Sequence, residues 1–340
     1  MTSGSTAGAK RGIRSLGTPL LVAFGFLLAL VLVEVALQVY SRVVVYPQLD
    51  GLLADRRHYM VQSPDPVLGF ELAPGYRVES DGKRLAINRH GLREESDETH
   101  PGRRKIAILG DSVVMSHGHD QEQTLDFLLE ASLGRAGDDA VVLNFGVGGY
   151  GFSELLRFLE VKNAIYQADH VLYLLNPNDY TQRDTIYEGA DNGTYRLYHR
   201  PALKTRWFLG KAIYRYQKRG SAFSSVSWYR WLYEGNTRHG SETLRAMDAY
   251  CRGAGCGFSV ALFPAGVAYG AGGYALEDMY DEIEASLVEQ GIPVLNPVEA
   301  FGAEPGRYFD NTDHLTEAGN ALMIQQMHRF LREIGAARGG

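Results

Sequence analysis

Five short runs that are apolar along most of their length, KIAILG, AVVLNFG, HVLYLLN, FSVALFPA and PVLNP, punctuate the chain after residue 104. A strand with apolar residues on both faces needs cover on both faces, which restricts it to the inside of a layered fold. Between the runs, apolar residues recur at helical spacing over 123–135, 152–166, 241–253, 276–290 and 315–334. Strand and helix therefore alternate, and a helix joining two strands of one sheet makes them parallel. The pattern predicts an α/β fold, a three-layer α/β/α sandwich around a doubly wound parallel sheet of flavodoxin-like type. With 340 residues, 45% of them hydrophobic, the chain can build such a core.

In open sheets of this kind ligands bind at the carboxyl ends of the strands, so the residues there come under scrutiny first. The first run ends in Gly110, Asp111 and Ser112 rather than in ordinary turn residues. The second ends in NFGVGGYGFSE, where Gly146, Gly148, Gly149 and Gly151 let the backbone approach a ligand ahead of a helix. The third ends in LLNPNDYTQ, presenting Asn176, Asn178 and Asp179, and the last is followed by RYFDNTDHLTEAGNALM. A hydroxyl, free amides and an Asp/His cluster on one edge are what acyl transfer needs. Serine is a weak nucleophile until a histidine takes its proton, and a carboxylate orients that histidine. The backbone amides of Ser112 and Gly149 and the side chain of Asn178 are the candidate oxyanion donors.

ILGDS, VGGYG, NPND and DNTDHLTEAGN, in that order, resemble the signature blocks of the SGNH hydrolases, the GDSL-type esterases and acyltransferases. The family's serine falls on Ser112, its glycine on Gly149, its asparagine on Asn178 and its histidine on His314. LGFELAPGYRV and INRHGLR, upstream, resemble the segment before the catalytic domain in membrane-anchored bacterial members. The resemblance implies a serine esterase or O-acyltransferase that needs no metal or dissociable cofactor. One position departs from the family: the aspartate expected three residues before the histidine is Asn311 here. Asp310 and Asp313 are the alternatives, and because adjacent side chains diverge, Asp310 is the better orienter of His314. SVVMSHGHDQ is a second departure, with Ser116, His117 and His119 where relatives have small residues; His117 could reach the pocket, and exposure on a loop is the expectation for it. GDSVV lacks the second glycine of a Gly-x-Ser-x-Gly elbow, which disfavours the α/β-hydrolase fold.

The amino terminus bears on location. Residues 1–18 carry Lys10, Arg11 and Arg14 and no acid, and PLLVAFGFLLALVLVEVALQVY follows with Glu34 as its only charge. That length spans a bilayer, and the positive flank keeps residues 1–18 in the cytoplasm. Residues 19–41 are thus expected to be a single anchor in the cytoplasmic membrane, with a lead-in at 43–102 and a catalytic domain at 103–336 on the periplasmic side. No Ala-x-Ala cleavage site follows, so retention is expected over removal. Glu34, in the outer third of the span, is expected to reach the headgroups or stay protonated. The lead-in reads as loop-rich with one small strand pair. In the oxidising compartment Cys251 and Cys256 are open to two readings, a disulfide or two small core residues.

An insertion at 181–238 contains Trp207, Trp228 and Trp231 and eleven Lys or Arg against four Asp or Glu, in a chain of net charge -6. KTRWFLGKAIYRYQKR and SSVSWYRWLYEG read as two amphipathic helices, which could cap the domain, lie on the anionic membrane surface or stack on sugars. Neither the overall charge nor the compartment suits nucleic acid as a partner. The function expected is a membrane-anchored esterase or O-acyltransferase acting on short acyl esters, acetyl above all, of envelope or exported carbohydrate. A membrane acyl-transferring partner would supply the donor if acyl transfer is the reaction. The competing class is a non-catalytic glycan-binding or scaffold protein that keeps the fold, supported by the off-pattern aspartate and the aromatic insertion.

Overall fold

All five apolar runs form strands of one sheet in the computed structural model, which describes residues 10–47, 59–80, 82–116, 118–181, 202–205, 209, 216, 225–310 and 314–338. Four strands precede them, β1 (Met60–Gln62), β2 (Phe70–Leu72), β3 (Arg77–Ser80) and β4 (Lys83–Ala86). The central sheet consists of β5 (Lys105–Gly110), β6 (Val141–Gly146), β7 (His170–Leu175), β8 (Gly257–Leu262) and a last strand at Val294–Leu295, in the order last-β8-β7-β5-β6. Every pairing in it is parallel. The chain starts at β5, steps to β6 on one side and then crosses to β7 on the other. The switch point is therefore the carboxyl end of β5, where Ser112 stands.

Burial explains the layering. Along β5, Ile106 and Ile108 point to one face and Ala107 and Leu109 to the other, all with no exposure. The first face is covered by helices Leu125–Arg135 and Glu317–Glu333, through Leu125, Leu129, Leu133, Met323 and Met327. The second is covered by Phe152–Tyr166, Val226–Ala254 and Glu277–Glu289, through Phe158, Leu232, Met247 and Ile283.

Two expectations need correction. The lead-in has two antiparallel pairs, β1 with β2 and β3 with β4, not one, and it is part of the same core, with Phe70, Leu72, Ile87 and Leu92 buried. The aromatic stretch around Trp228 and Trp231 and the helix expected at 241 are one 29-residue helix, Val226–Ala254, so the boundary expected at 238 falls inside a continuous helix. KTRWFLGKAIYRYQKR and Trp207 lie largely outside the described residues. Cys251 and Cys256 are buried free thiols, as the core reading has it. Ahead of all this runs a helix, Lys10–Tyr40, continued by a wider turn at Ser41–Val45. Its Thr18–Val44 stretch, within which an 18-residue window has mean hydropathy 2.8, is long and apolar enough to cross a membrane.

Candidate active site

Ser112 opens a single turn of helix, Ser112–Met115, directly after β5. Asp111 caps that turn by accepting the Val113 N–H on Oδ1 at 2.9 Å, so the acid in Gly-Asp-Ser is in part a helix cap. The turn can sit over the sheet because of Gly146 at the end of β6. A Cβ there would lie 2.2 Å from the Met115 nitrogen and 2.7 Å from the Val114 carbonyl carbon. The next loop passes over the serine: a Cβ on Gly148 would be 3.5 Å from Ser112 Cβ, and Gly149 has φ +86°, a conformation glycine adopts readily.

Asp111 has a second role that its motif did not disclose. Its Oδ2 accepts Asn178 Nδ2 at 2.9 Å and Asn176 Nδ2 at 3.3 Å. One N–H of Asn178 is thereby tied down, which fixes the plane of the amide and the direction of the other. Asn178 itself stands on a tight turn, Pro177–Tyr180, started by Asn176, whose side chain accepts the Asn178 N–H at 3.3 Å. The turn is wedged from outside by Tyr180, edge-on to Phe152 at 4.9 Å and to Tyr233 of Val226–Ala254 at 5.1 Å. Asp179 points inward, taking Tyr173 Oη at 2.7 Å and the Asn176 N–H at 2.9 Å. Burial, with Asp111 close by, pushes its carboxyl well above the ordinary range, and the bonds it makes to Tyr173 and the Asn176 backbone are structural.

His314 reaches the serine from the far end of the chain, its Nε2 3.1 Å from Ser112 Oγ. Asp310 braces the turn that presents it: its Oδ1 accepts the His314 N–H at 3.0 Å, and its own N–H donates to the His314 carbonyl at 2.8 Å. Asp313 and Asn311 lie outside the described residues. The structure thus brings Ser112, Asn178 and His314 together, with Gly149 on the loop that crosses the serine and Asp310 at the histidine's backbone.

Two supports were missed in the sequence. His119, to which the sequence assigned no role, is half-buried and its Nε2 donates to the Leu315 carbonyl at 2.9 Å, next to His314. Burial holds its pKa below the ordinary value. His117 lies outside the described residues. Arg93, 1% exposed, gives its guanidinium to the carbonyls of Met115 and Ser116 at 2.6 Å and of His119 at 2.7 Å. A lead-in residue therefore closes the carboxyl end of the serine's helical turn. The only sequence signal for it was the INRHGLR block. A second serine–histidine contact, Ser132 Oγ to His328 Nδ1 at 2.7 Å, joins two surface helices and is remote from the strand ends.

No family model matches the chain, and no curated protein matches it. Solved structures similar to it include the psychrotrophic esterase EstA from a Pseudoalteromonas species, inhibited by monoethylphosphonate, with TM-score 0.43 and 16% identity over 68% of this chain and 98% of that one. A member of the lipolytic G-D-S-L family from Veillonella parvula gives TM-score 0.40 and 14% identity over 68% of this chain and 97% of that one. An acetyl xylan esterase, AlAXEase, gives 0.41 and 13% over 66% and 97%. In this chain itself, a five-stranded parallel sheet with helices on both faces carries the serine at its switch point. That is the α/β/α arrangement which the SGNH resemblance implies.

Proposed function

We propose that this protein is a membrane-anchored serine esterase or O-acyltransferase that acts outside the cytoplasmic membrane on short acyl esters of carbohydrate, acetyl esters above all. The observation that carries the reading is the 3.1 Å approach of Ser112 Oγ to His314 Nε2 at the sheet's switch point. Ser112 Oγ bonds to the acyl carbon as its proton passes to His314 Nε2. The carbonyl pair moves onto oxygen, facing the Ser112 and Gly149 amides and the second N–H of Asn178. His314 returns the proton to the departing alkoxide as the C–O bond breaks, leaving an acyl-serine. Water or a sugar hydroxyl then repeats the steps in reverse order, giving free acid or a new ester. Asp310, fixed to the His314 backbone, is the proposed orienter of the histidine.

Acetyl and carbohydrate specificity rests on the resemblance and on the expected location. The catalytic reading is tested by turnover of p-nitrophenyl acetate and of an acetylated oligosaccharide, with and without an unacetylated sugar acceptor. Ser112→Ala is expected to lower kcat by at least about 10³-fold with unchanged circular dichroism. Wild-type protein that is folded and turns over neither substrate, with sugar binding intact in Ser112→Ala, would favour the scaffold instead.

A further inference from the structure

Glu34 is the one charge in the apolar run from Pro19 to Tyr40, and the structure gives it partners from 170 residues away. Its Oε1 accepts the Lys204 N–H at 2.9 Å, and its Oε2 accepts the Thr205 N–H and the Thr205 hydroxyl, each at 2.7 Å. Gln38, one turn on, donates from Nε2 to Glu34 Oε1 and to the Ala202 carbonyl, both at 2.6 Å. The burial pattern agrees. From residue 18 to 40 every position is exposed except Glu34, Leu37 and Gln38, and Ser41 beyond them is buried. Positions i, i+3, i+4 and i+7 form one stripe of a helix, and here that stripe is the covered one.

Depth follows from helix geometry. Glu34 is ten residues before the end of the Thr18–Val44 stretch, or about 15 Å along the axis. A 27-residue helix is about 40 Å long against a hydrocarbon core of about 30 Å, so Glu34 lies roughly 10 Å inside the outer boundary. Ala202–Thr205, bonded to it, are at the same depth. Backbone N–H groups can enter hydrocarbon only when satisfied, and a carboxylate only when paired. The two N–H groups, the hydroxyl and the Gln38 amide meet both needs at once. Beyond this contact Leu203 is 58% and Leu209 62% exposed. Lys204, buried, holds its ammonium 5.2 Å from the centre of the Tyr46 ring.

We propose that Ala202–Thr205, with Leu209, make a second membrane contact, Ala202–Thr205 seated on the Glu34–Gln38 stripe of the helix within the outer leaflet and Leu203 and Leu209 presented to lipid acyl chains. The proposal rests on the reading of Thr18–Val44 as a membrane span. Its occupant follows from continuity: the segment extends the lipid-facing surface of that helix.

The test is depth-dependent quenching in the full-length protein, reconstituted in vesicles of phosphatidylethanolamine and phosphatidylglycerol. A fluorophore is attached at Leu203→Cys or, as a reference, at Leu30→Cys, in a background carrying Cys251→Ala and Cys256→Ala. Both labels are expected to be quenched several-fold more by lipid with a mid-chain nitroxide than by aqueous iodide. In Glu34→Leu the label at 203 is expected to become iodide-sensitive while the label at 30 is unchanged. Iodide quenching at 203 with lipid quenching at 30 would overturn the proposal alone, as would insensitivity of 203 to both quenchers, which means a protein neighbour. Iodide quenching at both positions would overturn the span, and the proposal with it.

Discussion

Replacing Asp111 by asparagine asks whether the acid of Gly-Asp-Ser acts through Asn178. Asp111 accepts on both oxygens, Val113 N–H at 2.9 Å on one, and the amides of Asn178 and Asn176 at 2.9 and 3.3 Å on the other. Asparagine has one carbonyl oxygen, so whichever way its amide is turned its NH2 group faces a donor. Turned to keep the Val113 cap, it strips Asn178 of a charge-assisted bond worth about 1.5–3 kcal/mol. Asn178, no longer fixed, then loses the preorganisation that its proposed role as oxyanion donor requires, and the loss of one such donor lowers kcat by about 10²–10³-fold. Asp111→Asn is expected to lower kcat on p-nitrophenyl acetate by roughly 10²-fold, as is Asn178→Ala, while Tm falls by about 5–10 °C. Because both act on one group, the double variant is expected to be little slower than the worse single. Losses that multiply in full would refute the reasoning, since Asp111 would then act by a route that bypasses Asn178.

Arg93→Met leaves the buried carbonyls of Met115, Ser116 and His119 without their donor, and a fall in stability of about 3–5 kcal/mol is expected in urea titrations, with activity falling alongside; a shift under about 1 kcal/mol would contradict this role. Gly146→Ala drives a Cβ into the backbone of the serine's turn and is expected to abolish turnover. Gly149→Ala, whose nearest neighbour would be Phe70 Cζ at 3.7 Å, meets only the strain of φ +86° and is expected to lose about 1–2 kcal/mol in thermal unfolding. Asp126, buried against Asn144, has its pKa raised by burial from 3.8 to about 6. A folded-state pKa above the unfolded one stabilises below about pH 4, and that stability is lost as pH rises through about 6. Between about pH 4 and 7.5 wild type is therefore expected to lose stability that Asp126→Asn keeps, and equal pH slopes in the two proteins would disprove it.

What the sequence made legible follows from locality. The strands are legible because each is apolar on both faces, and Ser112, Gly149, Asn178 and His314 because strand-end motifs carry their own spacing. Asp111 was visible as a residue but not as a second support of Asn178, since that bond joins residues 67 apart. Arg93 was visible only as a member of the INRHGLR block, and only the fold shows three carbonyls converging on it. The long helix Val226–Ala254 was split because its Gly235 and Gly240 weaken helical propensity. Gly240 is there for packing: a Cβ would come within 2.6 Å of Tyr180 and 3.0 Å of Phe152. Glu34 was expected to face headgroups or stay protonated, because nothing local to it signals that Lys204 and Thr205 supply its partners.

The most direct test of the central claim, an activated Ser112, is labelling of the detergent-solubilised full-length protein with a fluorophosphonate, read by intact mass. The account predicts one adduct on wild type, mapped to Ser112, and none on folded Ser112→Ala or His314→Ala. Folded wild type that takes no label, or His314→Ala that labels as fast as wild type, would contradict it.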